Sequence, residues 1–173
     1  SGRLQSNARA FEGMAGVVDI LGLEFSYGQQ AVLSGINLQV EAGTTLGLIG
    51  PNGAGKTTLI RLLLGLLELT GGSVRVAGFE MASQPEEARA RIGYLAQRFS
   101  LYGDLTVAEN LSFFAEVRGL TGVAFERRAA QLLEFVGLLG FEGRRAEHLS
   151  GGMRQKLGLA CALVHEPPIL LLD

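Results

Sequence analysis

Eight consecutive residues in the first half of the chain have the types and spacing of a phosphate-binding loop. They are Gly50, Pro51, Asn52, Gly53, Ala54, Gly55, Lys56 and Thr57. The glycines let the backbone bend until successive N–H groups point inward at an anion. Lys56 supplies a point charge for the β- and γ-phosphates, and the Thr57 hydroxyl is a ligand for Mg²⁺. This segment, the phosphate loop below, predicts that the chain binds a nucleotide.

A second candidate anion site lies far along the chain, in the segment Leu149 to Gln155. Ser150 is a good N-cap residue, and Gly151 and Gly152 follow it at the start of a predicted helix. Bare amides at a helix N-terminus attract anions. This segment, called the signature segment below, has no lysine of the kind that completes the phosphate loop.

Composition and charge exclude several classes of protein. The 173 residues are 47% hydrophobic and 18% charged, which is too apolar for a disordered chain. Fifteen Lys and Arg residues against seventeen Asp and Glu give a net charge of −2, so no overall field attracts nucleic acid. The most apolar longer stretch, Leu59 to Leu69, is too short to cross a bilayer. The single cysteine, Cys161, fits a reducing compartment.

The hydrophobic pattern around the phosphate loop predicts an α/β core. Alternating residues predict two early strands, and an apolar run predicts a buried strand entering the loop, at Val17–Phe25, Ile36–Val40 and Thr44–Ile49. The segments expected to follow are a helix at Lys56–Leu67, a turn at Gly71–Gly72, a strand at Ser73–Ala77, a helical turn at Glu86–Arg91 and a strand at Ile92–Ala96.

Beyond the strand at Ile92 the pattern changes to helices. Thr106 and Glu109 have the spacing of a capping box, and the helix that they open is expected to run to about Arg118. A second amphipathic helix and a helix after Ser150 follow, before Ile169–Asp173 returns as a buried parallel strand. The expected divisions are 1–12 as a tag or flexible arm, 13–99 as the α/β core, 100–163 as an inserted helical subdomain and 164–173 as a further strand of the core.

From about Val18 to Asp173 the chain resembles the nucleotide-binding domain of ABC ATPases. The signature segment is similar to the family motif LSGGQ, with Met153 where glutamine is commonest. Gly50 to Thr57 resembles the Walker A loop, and Ile169 to Asp173 resembles the Walker B strand. The implied fold is a P-loop NTPase core with an N-terminal antiparallel β region and an inserted α-helical subdomain.

The resemblance implies a role for each matched residue. Two domains meet head to tail and enclose two ATP molecules, so that the phosphate loop of one faces the signature of the other. The implied nucleotide-binding residues are the phosphate loop with Thr58, the adenine-stacking Tyr27, and Ser150, Gly151 and Gly152 on the partner's γ-phosphate. The implied catalytic residues are Lys56, Gln97 and Asp173, and the implied Mg²⁺ ligands are Thr57, Gln97 and Asp173.

One departure from the family pattern concerns hydrolysis. The family's catalytic glutamate follows the Walker B aspartate, and the chain ends at Asp173. His148 and His165 do not match the family's switch histidine. We therefore expect a fragment truncated at the Walker B strand, which binds ATP, hydrolyses it slowly and associates with itself through an open sheet edge.

The segment Phe99–Leu111 and the signature segment most resemble drug-type and ABC-2-type exporters. The apolar residues Leu101, Tyr102 and Leu105 suit a surface that docks a membrane permease. The expected partners are thus a second nucleotide-binding domain, identical or not, and a transmembrane permease, on the cytoplasmic face of a membrane and without nucleic acid. A soluble ABC-type ATPase acting on ribosomes or nucleic acid, and a regulatory module that binds ATP without hydrolysing it, are the alternatives.

Overall fold

An antiparallel sheet organises the first of two units, residues 1–92 and 93–173, into which the chain divides. The computed structural model describes residues 16–97 and 101–173, so the arm expected at 1–12 and the docking residues Phe99 and Ser100 lie outside the described residues. The strands β1 (Val18–Tyr27), β2 (Gln30–Val40), β3 (Gly71–Val76) and β4 (Phe79–Glu80) lie in the order β2-β1-β3-β4. Neighbouring strands run antiparallel, as predicted for the N-terminal region.

The first helix, α1 (Lys56–Leu63), follows the phosphate loop directly and is shorter than predicted. It ends because Gly65 adopts a left-handed φ of +63°, while its amide bonds back to the Leu62 carbonyl at 3.0 Å. A side chain at Gly65 would also crowd the methyl end of Met81 at 3.0 Å. The short helix α2 (Pro85–Arg89) confirms the predicted helical turn.

The prediction of a buried strand at Thr44–Ile49 is wrong. These residues form no strand, and their side chains are exposed: Leu46 by 51%, Leu48 by 40% and Ile49 by 99%. An apolar run becomes a strand only when neighbouring backbones complete its hydrogen-bonded ladder, and a parallel neighbour comes from a distant part of the sequence. The apolar composition of Thr44–Ile49 therefore predicted a buried strand, but composition alone does not provide the neighbouring strands that pair with it.

The turn predicted at Gly71–Gly72 is also wrong, because both glycines belong to β3. The register between β1 and β3 shifts here: Leu21 pairs with Ser73, whereas Glu24 pairs with Gly71. Gly72 takes a φ of +78° at this irregularity. The glycines thus serve a bulge inside a strand rather than a chain reversal.

The second unit has a helical core built on α3 (Val107–Val117), α4 (Gly122–Val136) and α5 (Gly151–Leu163). Helix α5 packs against both α3 and α4, and its residue Leu157 is fully buried in the shared core. A 3₁₀ turn at Ala146–His148 leads to α5. The strands β5 (Ile92–Leu95) and β6 (Ile169–Leu172) pair with each other.

The N-terminus of α3 has the predicted capping box. The Glu109 amide donates to the Thr106 hydroxyl at 3.2 Å, and the Thr106 amide donates to the Glu109 carboxylate at 2.8 Å. This backbone donor is the main reason that the pKa of Glu109 lies below its ordinary value. The reciprocal bond therefore stabilises the fold above the ordinary pKa and is lost as the pH falls through the lowered value.

We predict that Thr106→Ala lowers the free energy of unfolding by about 1 kcal/mol, because the Glu109 amide loses its acceptor. Urea unfolding followed by circular dichroism measures the change. Thr121→Ala is the matched control, since Thr121 occupies the N-cap of α4 without a side-chain capping bond. Equal losses in the two variants would contradict the capping assignment.

Candidate nucleotide-binding site

The phosphate loop is exposed and is closed by its own lysine. The Lys56 ammonium donates to the backbone carbonyls of Gly50 and Pro51, both at 2.8 Å. These bonds hold the positive charge over the loop backbone, where the phosphates of a nucleotide are expected. The Ala54 amide donates to the Pro51 carbonyl at 3.3 Å, which tightens the turn between them.

Helix α1 presents its N-terminal amides to the phosphate loop. Its N-cap is Gly55, which has no side chain to accept from those amides, and its first turn contains no acidic residue. The first amides and the positive end of the helix dipole are therefore directed at an external anion. Thr57 and Thr58 are the second and third residues of α1 and so lie in this first turn.

Only glycine fits at position 55. Its φ is +89°, and a Cβ there would lie 2.8 Å from Leu33 Cδ2 and 3.3 Å from Val32 Cγ1 of β2. The loop and the sheet thus approach each other so closely that backbone alone fills the space.

Tyr27 is the last residue of β1 and is 46% exposed. Its ring packs edge-on against Phe25, with ring centroids 4.8 Å apart. The contact holds an aromatic surface at the strand end, which is the property that stacking on a nucleotide base requires.

The signature segment forms the N-terminus of α5. The Ser150 hydroxyl accepts from the Met153 amide at 3.2 Å, so it caps one of the first amides. Gly151 and Gly152 are exposed, and a Cβ on either would meet no atom within 4 Å. This helix end is therefore open to an anion that arrives from outside the chain.

Cys161 lies on the buried side of the same helix. Burial raises the pKa of its thiol to about 12, so it stays protonated near neutral pH. It is a packing residue and supplies no nucleophile to the site.

Gln97 and Asp173 follow the paired strands β5 and β6 at the same edge of this two-stranded sheet. The Asp173 amide donates to the Leu95 carbonyl at 3.0 Å, and a Cβ on Gly93 would lie 3.2 Å from Leu170. The two strands therefore advance in the same direction, as predicted for the returning strand, but the prediction that this strand is buried is wrong at its end, since Leu172 is 59% exposed. Gln97 lies two residues beyond Leu95 and is exposed.

One residue at this edge, Tyr94 of β5, was not among the site residues predicted from the sequence. Its hydroxyl donates to an Asp173 carboxylate oxygen at 3.4 Å. The only signal in the sequence was an aromatic residue three positions before Gln97. The bond helps to hold the carboxylate at the carboxyl end of the strands.

The side chains fit the chemistry of a nucleotide and Mg²⁺. Lys56 and the amides of α1 suit phosphate, while the oxygens of Thr57, Gln97 and Asp173 are the hard ligands that Mg²⁺ prefers. Lys56 and Thr57 lie in the first unit, whereas Gln97, Asp173 and the signature segment lie in the second.

The sequence pattern of the ABC transporter family matches residues 33–173. The chain therefore belongs to the ABC transporter family, as its motifs predicted. The fold agrees: an ATP-binding subunit of an ABC transporter has a TM-score of 0.82 and 35% identity, covering 90% of this chain and 65% of that one. CbiO1 of Clostridium perfringens, described as part of the complex cbiONQ, has a TM-score of 0.83 and 26% identity, covering 91% and 64%.

Several curated relatives are named for drug export or resistance. The probable multidrug ABC transporter ATP-binding protein YbhF of Escherichia coli K12 is 48% identical, over 91% of this chain and 28% of YbhF. The daunorubicin resistance ATP-binding protein DrrA2 of Streptomyces coeruleorubidus is 43% identical, over 87% and 47%. The linearmycin resistance ATP-binding protein LnrL of Bacillus subtilis is 37% identical, over 86% and 48%. The chain thus spans half or less of the length of each of these relatives.

We predict that Gly55→Ala weakens ATP binding and lowers the free energy of unfolding by about 1–3 kcal/mol, because it forces a side chain into a left-handed and crowded position. Calorimetric titration with ATP and urea unfolding measure the two effects. Gly143→Ala is the control, since no atom lies within 4 Å of its Cβ and its φ is not positive. Unchanged ATP affinity in Gly55→Ala would contradict the proposed loop geometry.

Proposed function

We propose that the chain is the ATP-binding part of an ABC exporter, in which nucleotide binding and hydrolysis drive transport through a membrane partner. The observation that carries the proposal is the phosphate loop, whose lysine and glycine N-cap are arranged for phosphate in a chain of the ABC transporter family. ATPase activity is general in this family. The names of the multidrug and drug-resistance relatives support export.

In this proposal the phosphate loop and the residues matched to the family motifs bind the nucleotide. Lys56, Thr57, Thr58 and the amides of Gly50 to Gly55 hold the phosphates, and Tyr27 stacks on the adenine. Thr57, Gln97 and Asp173 would be the ligands of Mg²⁺, which would supply positive charge to the phosphate oxygens. Gln97 also orients the attacking water, while Tyr94 keeps the Asp173 carboxylate in place.

The signature segment acts on the nucleotide of a second copy or a related domain. Gly151 and Gly152 are exposed at the positive end of α5, and within residues 16–97 and 101–173 no atom lies within 4 Å of a Cβ built on either. A γ-phosphate held by the partner's phosphate loop matches this end in charge. Two domains placed head to tail would thus complete two sites together.

An exposed aromatic patch after Gln97 is proposed as the docking site for the permease. Tyr102 is 45% exposed and Phe113 38% exposed, and their ring centroids lie 4.7 Å apart. The buried Asn110 fixes this segment, since it accepts from the Tyr102 amide and donates to the Tyr102 and Leu105 carbonyls. A firmly held apolar patch of this kind suits a protein partner.

The proposed location is the cytoplasmic face of a membrane, beside that permease. None of the helices within 16–97 and 101–173 has both the length and the apolar character needed to span a bilayer. No observation favours action on ribosomes or nucleic acid. Slow hydrolysis by residues 1–173 alone, and their self-association, stay predictions.

We predict that Lys56→Ala weakens ATP binding at least about tenfold, because one charge-assisted contact to the phosphates is lost. Titration calorimetry with ATP and Mg²⁺ measures the dissociation constant. The control is Lys156→Ala, which removes the only other lysine of the sequence. Equal affinities in the two variants would contradict the assignment of the phosphate loop.

We also predict that Gly151→Glu abolishes ATP-dependent dimerisation and leaves ATP binding within about twofold of wild type. A carboxylate at the start of α5 is compatible with folding, since it favours the helix dipole, but it repels the partner's γ-phosphate. Light scattering with and without a slowly hydrolysed ATP analogue measures association. Gly143→Glu is the charge-matched control, and dimerisation of Gly151→Glu would contradict a signature that acts across the interface.

A further inference from the structure

The second unit contains a cavity of about 560 Å³ that is separate from the motifs of the nucleotide site. It lies where the end of α3, the first half of α4 and the segment after α5 meet. Its ionisable side chains are those of Arg118, Arg127, Arg128, His165 and Glu166. The volume lies within the ~300–1,000 Å³ typical of small-molecule sites. We call it the arginine pocket.

Positive charge exceeds negative charge in the arginine pocket. The single carboxylate of the lining, Glu166, pairs with Arg128 at 3.2 Å. Arg128 also donates to the Leu163 carbonyl at 2.9 Å, so this guanidinium is already used to join α4 to the end of α5. It fixes one wall of the pocket.

Arg127 differs from the adjacent Arg128 in its interactions. Within residues 16–97 and 101–173 its guanidinium makes no hydrogen bond or ion pair, and the residue is exposed at the pocket lining. It lies in the first half of α4, where the helix dipole does not favour a positive charge. Neither an ion pair nor the helix dipole therefore accounts for a cation at this position.

The backbone around the arginine pocket is held by hydrogen bonds. The Leu120 amide donates to the Ala115 carbonyl at 2.9 Å, and Gly119 takes a φ of +74° to close the end of α3 beside Arg118. On the opposite wall the Glu166 amide donates to the Leu163 carbonyl at 3.1 Å, and Glu166 adopts a left-handed φ of +54°. The backbone is thus hydrogen-bonded on both sides of the pocket.

We propose that the arginine pocket binds a small phosphorylated molecule that is free in solution. Guanidinium groups match phosphate oxygens in charge and in the geometry of paired hydrogen bonds. Leu120, Ala124 and Val164 add an apolar contribution to the lining, which suits the organic part of such a molecule. The site is distinct from the phosphate loop and does not depend on the proposed export function.

Pyrophosphate is the probe for this proposal, titrated into ¹⁵N-labelled chain and followed by amide chemical shifts. We expect saturable shifts at residues 118–131 and 164–166, together with separate shifts at the phosphate loop. Lys56→Ala should remove the loop shifts and keep the pocket shifts. Arg127→Gln should weaken pocket binding about tenfold and leave loop binding unchanged.

The control is Arg145→Gln, which removes an exposed arginine of the same unit that does not line the pocket. It should change the pocket dissociation constant less than about twofold, because Arg145 does not line the pocket and its exposed charge is screened by salt. Absence of pocket shifts, or equal weakening by Arg127→Gln and Arg145→Gln, would overturn the proposal. Cosedimentation with phosphatidylglycerol vesicles without pyrophosphate shifts would assign the arginines to a lipid headgroup and overturn it as well.

Discussion

The first amides of every helix need acceptors, and the way in which the chain meets this requirement separates its structural helices from its binding sites. Helix α3 satisfies its amides internally through Thr106 and Glu109. Helix α1 begins at a glycine without such a side chain, and Ser150 caps only part of α5. An open N-terminus alone is no site, since Thr121 also leaves α4 uncapped. At α1 the bent phosphate loop and Lys56 add the charge and curvature that favour phosphate.

Local interactions explain which elements could be predicted from the sequence. The capping box of α3 and the start of α5 at Ser150 were predicted correctly, because caps and apolar spacing operate within a few residues. The structure of Thr44–Ile49 was not predicted correctly, because strand formation there depends on backbone pairing that no local pattern encodes. The turn predicted at the glycines of β3 was wrong for a related reason. A bulge and a turn both favour glycine, and only the register with β1 distinguishes them.

The residues of the candidate site also differ in whether local sequence was enough to propose them. The residues of the phosphate loop and of the signature segment were proposed from the sequence, because consecutive residues would carry each chemical role, and these roles stay predictions. The hydrogen bond between Tyr94 and Asp173 could not be proposed in this way, since it joins residues 79 positions apart through the pairing of β5 and β6. The arginine pocket is likewise assembled from three separate elements. Arg118, Arg127 and Glu166 look like ordinary surface charges until the fold brings them to one cavity.

The helix α5 connects two of these sites, because the signature segment forms its N-terminus and the pocket residues Val164 and Glu166 follow its last turn. Its thirteen residues place the two ends about 20 Å apart. Leu157 of this helix is buried in the core, and close packing there opposes bending of the helix. A pocket ligand would influence the signature only if it bound two positions of α5 with different affinities. Thermodynamic linkage then requires the partner's nucleotide to change the affinity of the pocket by the same factor.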